Sequence, residues 1–150
     1  MSVRETALSA LFAALTAVPG ARVERETVTP EVVPQGGLII QRDGQPGIQR
    51  DGQPGPPEIF MSPLTYSYEH AVTVEVIAQN APNGARAIAL DGLLVALGQV
   101  LAVDRTLAGT VDWLEWAAPH TDDLAVPAGA AIKGATVTVT LFYSTDNPLL

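Results

Sequence analysis

The sequence contains no cysteine, which excludes disulfides, thiolate metal sites and a cysteine nucleophile. Charge is also scarce. Only 16% of residues are charged, and eight basic side chains stand singly against sixteen acidic ones, giving a net charge of −8. A protein that grips duplex nucleic acid by neutralising phosphates needs a basic stripe, so that class is set aside. No uninterrupted apolar run approaches the roughly 20 residues that span a bilayer. The apolar positions among residues 1–20 follow helical spacing behind adjacent Arg4 and Glu5 rather than forming a signal-like block, so the chain reads as soluble, unexported and without a membrane partner. GxSxG, P-loop and GxGxxG patterns are all missing.

What remains is sufficient for a core. A chain of 150 residues with 47% apolar content fits one domain, 1–150, that buries most of its unfolded surface. The organising stretch is Tyr66 to Gln79, YSYEHAVTVEVIAQ. Its even positions, Tyr68, His70, Val72, Val74, Val76 and Ala78, form one mostly apolar face, while Glu69, Thr73, Glu75 and Gln79 mark the other. A period of two is the requirement of a half-buried strand. Thr136 to Thr145 repeats the pattern, with Val137, Val139, Leu141 and Tyr143 inward and threonines outward.

Two helices are expected to cover that face. Ser2 and Glu5 have capping-box spacing, Leu8, Leu11, Phe12, Leu15 and Val18 share a stripe, and Pro19-Gly20 supplies a stop, which places helix one at about 3–18. Leu90, Leu93, Leu94, Leu97 and Leu101 stripe a second helix from about Ala85 to Val103, interrupted by Gly92 and Gly98. The fold class is therefore α+β: a mixed or mainly antiparallel β-sheet packed against two α-helices.

Shorter elements fill the remainder. Arg22 to Thr29 reads as an exposed strand and Leu38 to Ile40 as a buried one. Ile40–Gly47 and Ile48–Gly55 then spell the same octapeptide, IQRDGQPG, in tandem. Eight residues twice are too few for a repeat architecture. The duplication reads as lengthening a hairpin loop over about residues 41–58, with Asp43-Gly44 and Asp51-Gly52 as turns and Glu58–Met61 as the return strand. The sharper alternative is a protruding arm that engages a neighbour. Residues 80–84 and 119–131 read as a turn and a loop. Thr110 to Ala117 reads as a strand whose odd spacing puts Trp113 and Trp116 on opposite faces, so one of them is exposed or covered by a partner.

No reactive constellation stands out. His70 falls on the valine face and reads as structural or interfacial. His120 with Asp122 and Asp123 lacks a fourth metal ligand at sensible spacing. The expectation is no catalytic residue, no metal and no cofactor. The candidate functional residues are interfacial: Trp113, Trp116, Arg22, Glu24, Arg25, Asp43, Arg50 and Asp51.

The order of RETALSALFAALTAVPGARVER, GLIIQRDG, YSYEHAVTVEVIAQ, the leucine-rich helix and TVTVTLFYST resembles the tail-terminator, or tail-completion, proteins of long-tailed phages. These are the U-type minor tail protein family, with related subunits in gene transfer agents. The likeness covers nearly the whole chain and lies in element order and polarity. It implies a non-enzymatic virion subunit forming a ring, usually a hexamer, on the head-proximal end of a tail tube. Such a ring stops tube polymerisation and meets the head connector. Its partners would be copies of itself, the tail tube protein and the connector or stopper protein. DNA would pass through the lumen without specific binding, past an acidic lining that repels phosphates. Assembly would take place in the host cytoplasm. The duplicated octapeptide departs from the family pattern, in which one copy suffices. The competing readings are a head–tail connector, a small-molecule-binding or hydrolytic domain using His70 or His120, and a nucleic-acid adaptor.

Overall fold

The computed structural model describes residues 1–78, 83–124 and 132–150. Ser2 is extended, and its Oγ accepts the Glu5 amide proton at 3.2 Å, starting helix α1, Val3–Leu15. The reciprocal half of the expected capping box is not made, because the Glu5 carboxylate bonds Ser9 and Arg25 instead. The helix also ends earlier than the expected residue 18. Ala17 and Val18 donate to Ala14 and Leu15, an i→i−3 tightening that unwinds the last turn before Pro19 restricts its predecessor.

The sheet is built around two long antiparallel strands, β6 at Leu64–Ile77 and β9 at Ile132–Thr145, paired from Tyr66↔Thr145 to Ile77↔Gly134. Each carries two shorter strands in series on its outer side. Beside β6 lie β2, Leu38–Arg42, paired with Thr73 to Ile77, and β5, Glu58–Met61, paired with Leu64 to Ser67. Beside β9 lie β7, Trp113–Trp116, and β8, His120–Leu124. Strand β1, Arg22–Arg25, adds in parallel to β2 and makes the sheet mixed. Strands β3, Ile48–Arg50, and β4, Gln53–Gly55, form a separate two-stranded arm. Helix α2 spans Asn83–Val103. The fold is α+β, with a seven-stranded mixed sheet.

Three expectations change. Glu58–Met61 does not return along Leu38–Ile40; both are edge strands of β6, and β5 is joined to β6 through Ser62-Pro63. The strand expected to run to Thr29 stops at Arg25, where Glu26 takes a left-handed φ of 51°. Residues 120–124, expected as loop, pair with Leu124↔Ile132 through His120↔Thr136, so β9 also starts four residues before Thr136. A proline and paired aspartates gave that segment a loop-like composition, but a long neighbouring strand supplied the ladder. Gln79, most of the 80–84 turn and residues 125–131 lie outside the described residues.

Inward side chains follow the alternation closely. Tyr68, His70, Val72, Val74 and Val76 of β6 meet Tyr143, Leu141, Val139, Val137 and Ala135 of β9, all buried. Leu8, Leu11 and Leu15 of α1 and Leu90, Leu93, Leu97 and Leu101 of α2 close over them. By length and composition alone the stretch Gly84–Val103, with mean hydropathy 1.7, is long and apolar enough to cross a membrane. Arg86, Asp91 and Gln99 interrupt that stretch, and its leucine side packs on the sheet. A second small core, Val33, Leu38, Ile40 and Ile77, lies on the sheet's other face.

Candidate functional site

The two octapeptides begin with the same residues but occupy different environments. In the first copy, Ile40 and Gln41 are fully buried in β2. Gln41 Nε2 donates to Leu8 O at 3.1 Å and to Asp43 Oδ1 at 3.0 Å, tying the strand to α1. Asp43 then turns the chain, and Gly44 crosses Ala71 at φ 64°, so close that an added Cβ would collide with the Ala71 carbonyl. In the second copy, Ile48 and Gln49 are half-buried, Arg50 and Asp51 are exposed, and Asp51-Gly52 makes a left-handed hairpin turn at φ 50° and 75°.

A charge cluster fastens the first copy. Arg25 forks onto both carboxylates: Nε and Nη2 donate to Asp43 at 2.9 and 2.7 Å, and Nη1 and Nη2 to Glu5 at 2.7 and 3.0 Å. Bidentate geometry of this kind gives strong charge-assisted bonds. The Arg25 hydrogen bond, helped by Ser9, lowers Glu5 to about 2. Burial is the largest single influence on Asp43 and pushes it up, but hydrogen bonds from Arg25 and Gln41 together outweigh it and leave the carboxyl below its ordinary value.

His70 completes the cluster. It is fully buried, and both ring nitrogens are occupied: Nε2 contacts Asp43 O at 2.6 Å and Nδ1 contacts Tyr143 Oη at 2.9 Å. A carbonyl only accepts, so the proton sits on Nε2 and the Tyr143 hydroxyl donates to Nδ1. Burial depresses the His70 pKa and raises that of Tyr143 to about 12. This histidine positions the turn at Asp43; it has no free lone pair facing solvent. His120 is exposed at the start of β8, and the side chains of Asp122 and Asp123 lie outside the described set. Among the described residues no three His, Asp or Glu side chains are placed to hold a metal ion.

The remaining candidates divide by location. Arg25 and Asp43 are committed to the internal cluster, and Arg22 bonds Glu24 at 2.6 Å on β1. Arg50 and Asp51 form the tip of the β3–β4 arm. That arm occupies the gap between β2 and β5: the Glu69 amide donates to Gly47 O at 2.7 Å, and Gln49 Nε2 donates to Glu69 O at 3.1 Å. Trp113 and Trp116 lie on the opposite edge of the sheet. Trp116 packs against the core, while Trp113 is 44% exposed and donates from Nε1 to Glu115 at 2.7 Å.

Sequence reasoning missed two features of these edges. Arg105 bridges the tryptophans, its guanidinium 4.0 Å from the Trp116 ring centre and 5.0 Å from that of Trp113, and it donates to Leu114 O at 3.2 Å. On the other edge, Ile59, Phe60, Met61 and Leu64 are 50%, 50%, 80% and 44% exposed at the β5–β6 hairpin. The available signal was the EIFM run itself, an apolar strand without alternation on an edge. An alanine-walled groove of about 360 Å³ separates α1 from α2, lined by Ala10, Ala13, Ala14, Ala17 and Val100, with Asp104 at its rim.

A scan against protein-family models finds no match to this chain, and a search of the curated proteins finds none either.

Proposed function

We propose that the chain is a structural subunit of a phage-like tail, a ring-forming tail terminator that caps the head-proximal end of the tail tube and joins it to the head. The observation that carries this reading is the exposure of apolar and aromatic side chains on both edges of one sheet, Phe60 and Met61 on one side and Trp113 on the other. A closed ring repeats a heterologous contact, in which one patch meets a different patch on the next copy, so each subunit needs two unlike sticky surfaces. Exposed large apolar side chains grouped at edges are the usual mark of such contacts. The resemblance in element order and polarity adds the tail-tube context, and the non-enzymatic role agrees with the enclosed His70, whose two nitrogens are spent on Asp43 and Tyr143.

Light scattering after size-exclusion chromatography, on the chain alone and with preformed phage-type tail tubes, tests the proposal. The expected result is a closed oligomer, in solution or at tube ends, and tubes that stop growing when the chain is added. A chain that stays monomeric in both settings, with tubes elongating freely, overturns it. A head–tail connector would instead assemble without stopping tube growth.

A further inference from the structure

We infer that the β3–β4 arm together with β5 docks on the β7 edge of a second copy of this chain, with Arg50 of one copy facing Asp112 of the next. The inference rests on the ring reading and names the two surfaces that would meet.

Position comes first. The arm is held to β6 at Glu69 through Gly47 and Gln49, Glu69 is the register partner of Phe142, and Phe142 is the register partner of Trp113. The arm and Trp113 therefore sit at one level of the sheet, on opposite edges. Placing copies side by side in the sheet plane brings one copy's arm to the next copy's Trp113.

Charge complementarity selects the residues. Arg50 and Asp112, the latter next to Trp113, are both exposed, and among the described residues neither has an in-chain ion-pair partner. The corresponding arginine of the first octapeptide, Arg42, is already paired with Glu75 at 3.2 Å. The second copy of the repeat leaves its arginine without an ion pair among the described residues. Further along the same edge Phe60, half exposed and paired with Thr65, lies on the same face of the sheet as Trp113 and offers it an aromatic surface, a residue type enriched at interfaces. Arg105 already occupies the Leu114 carbonyl on the β7 edge, so side chains rather than a continued backbone ladder make the contact.

Charge reversal tests the pairing. Arg50→Glu alone and Asp112→Arg alone each place like charges across the contact. At low salt each should raise the concentration for half-maximal assembly about tenfold. An equimolar mixture of the two variants, and the double variant alone, should both return to the wild-type value, because every contact then regains opposite charges. As a check that needs no stable oligomer, Arg50→Cys mixed with Asp112→Cys, in a chain that has no other cysteine, should give a dimer with a short bismaleimide. Arg50→Cys mixed with Asp91→Cys on the outer side of α2 should not. Assembly indifferent to both reversals, with no selective cross-link, overturns the edge pairing and leaves the ring standing. A wild-type chain monomeric with and without tubes, and no selective cross-link, overturns both.

Discussion

His70 and Asp43 lie 27 positions apart in the chain, yet the imidazole Nε2 and the Asp43 carbonyl are 2.6 Å apart. That bond ties the middle of β6, one of the two long central strands, to the turn within the first octapeptide. The turn in turn carries the carboxylate that Arg25 grips, so the core, α1 and the loop are joined through a single peptide unit.

Replacing His70 by leucine keeps most of the volume but removes the donor to Asp43 and the acceptor for Tyr143. A loss of about 2 kcal/mol is expected from orphaning buried polar groups, read as a shifted urea midpoint with an unchanged slope. The wild type should also lose stability in mild acid. Burial holds the folded His70 pKa below its ordinary value, so the unfolded chain binds the proton more readily. This contribution is complete above about pH 6.5 and fades as pH falls through the folded value. The His70→Leu variant should lack that part of the pH profile.

Arg25→Met leaves Glu5 and Asp43 facing each other without the guanidinium that bridges them. Breaking a buried pair costs roughly 3–5 kcal/mol, and partial exposure of both carboxylates should bring this nearer 2. Below pH 4.5 the acid limb combines a share from Asp43, which Arg25 and Gln41 also hold below its ordinary value, with the larger contribution of Glu5. Its carboxyl titrates near 2 when folded, so its stabilisation is present above the ordinary value of 4.5 and is lost as pH falls towards 2. In Arg25→Met that limb should flatten in denaturation curves recorded from pH 6 down to about pH 2.

Gly44 and Gly52 hold the same place in the two octapeptides, but alanine should affect them unequally. Both have positive φ, a penalty of about 1–2 kcal/mol for any other residue. Around Gly52 the space is open, whereas at Gly44 the new Cβ meets the Ala71 carbonyl. Gly52→Ala should cost only the backbone penalty, and Gly44→Ala at least twice as much, measured as thermal midpoints of the two single variants.

Deleting residues 48–55 should leave a folded protein. Gly47 and Gly55 already abut, since a Cβ on Gly47 would strike the Gly55 carbonyl, so the ends of the excised segment are adjacent. Loop entropy changes by only about 0.6 kcal/mol per doubling of length. The change should stay near 1 kcal/mol, allowing for the lost Gln49 bond to Glu69, while assembly through Arg50 disappears. Equilibrium unfolding and light scattering on the same sample separate the two effects.

The parts of this fold legible in the sequence are those in which one side chain's fate depends on periodicity. Val72, Val74 and Val76, their partners in β9, and Leu90 to Leu101 went where alternation and helical spacing sent them. Edge pairing was not legible. Nothing within EIFM says whether its partner is Leu38–Ile40 or Leu64–Ser67, because an exposed edge strand carries no inward face to fix its register. The Arg25 cluster was equally hidden. Its three charged members come from α1, β1 and the turn after β2, and each alone looks like a solvated surface residue.

The burial of Leu38 and Ile39 ahead of the first octapeptide has one further consequence. Either copy of IQRDGQPG contains the isoleucine, glutamine, arginine and aspartate that the β2 position requires, so the strand has a possible frame shift of eight residues built into it. In the shifted frame Pro46 and Gly47 would replace Leu38 and Ile39, emptying two core sites at about 2–5 kcal/mol each. Two aliphatic side chains outside the repeat thus decide which of two identical segments is embedded in the sheet and which is displayed.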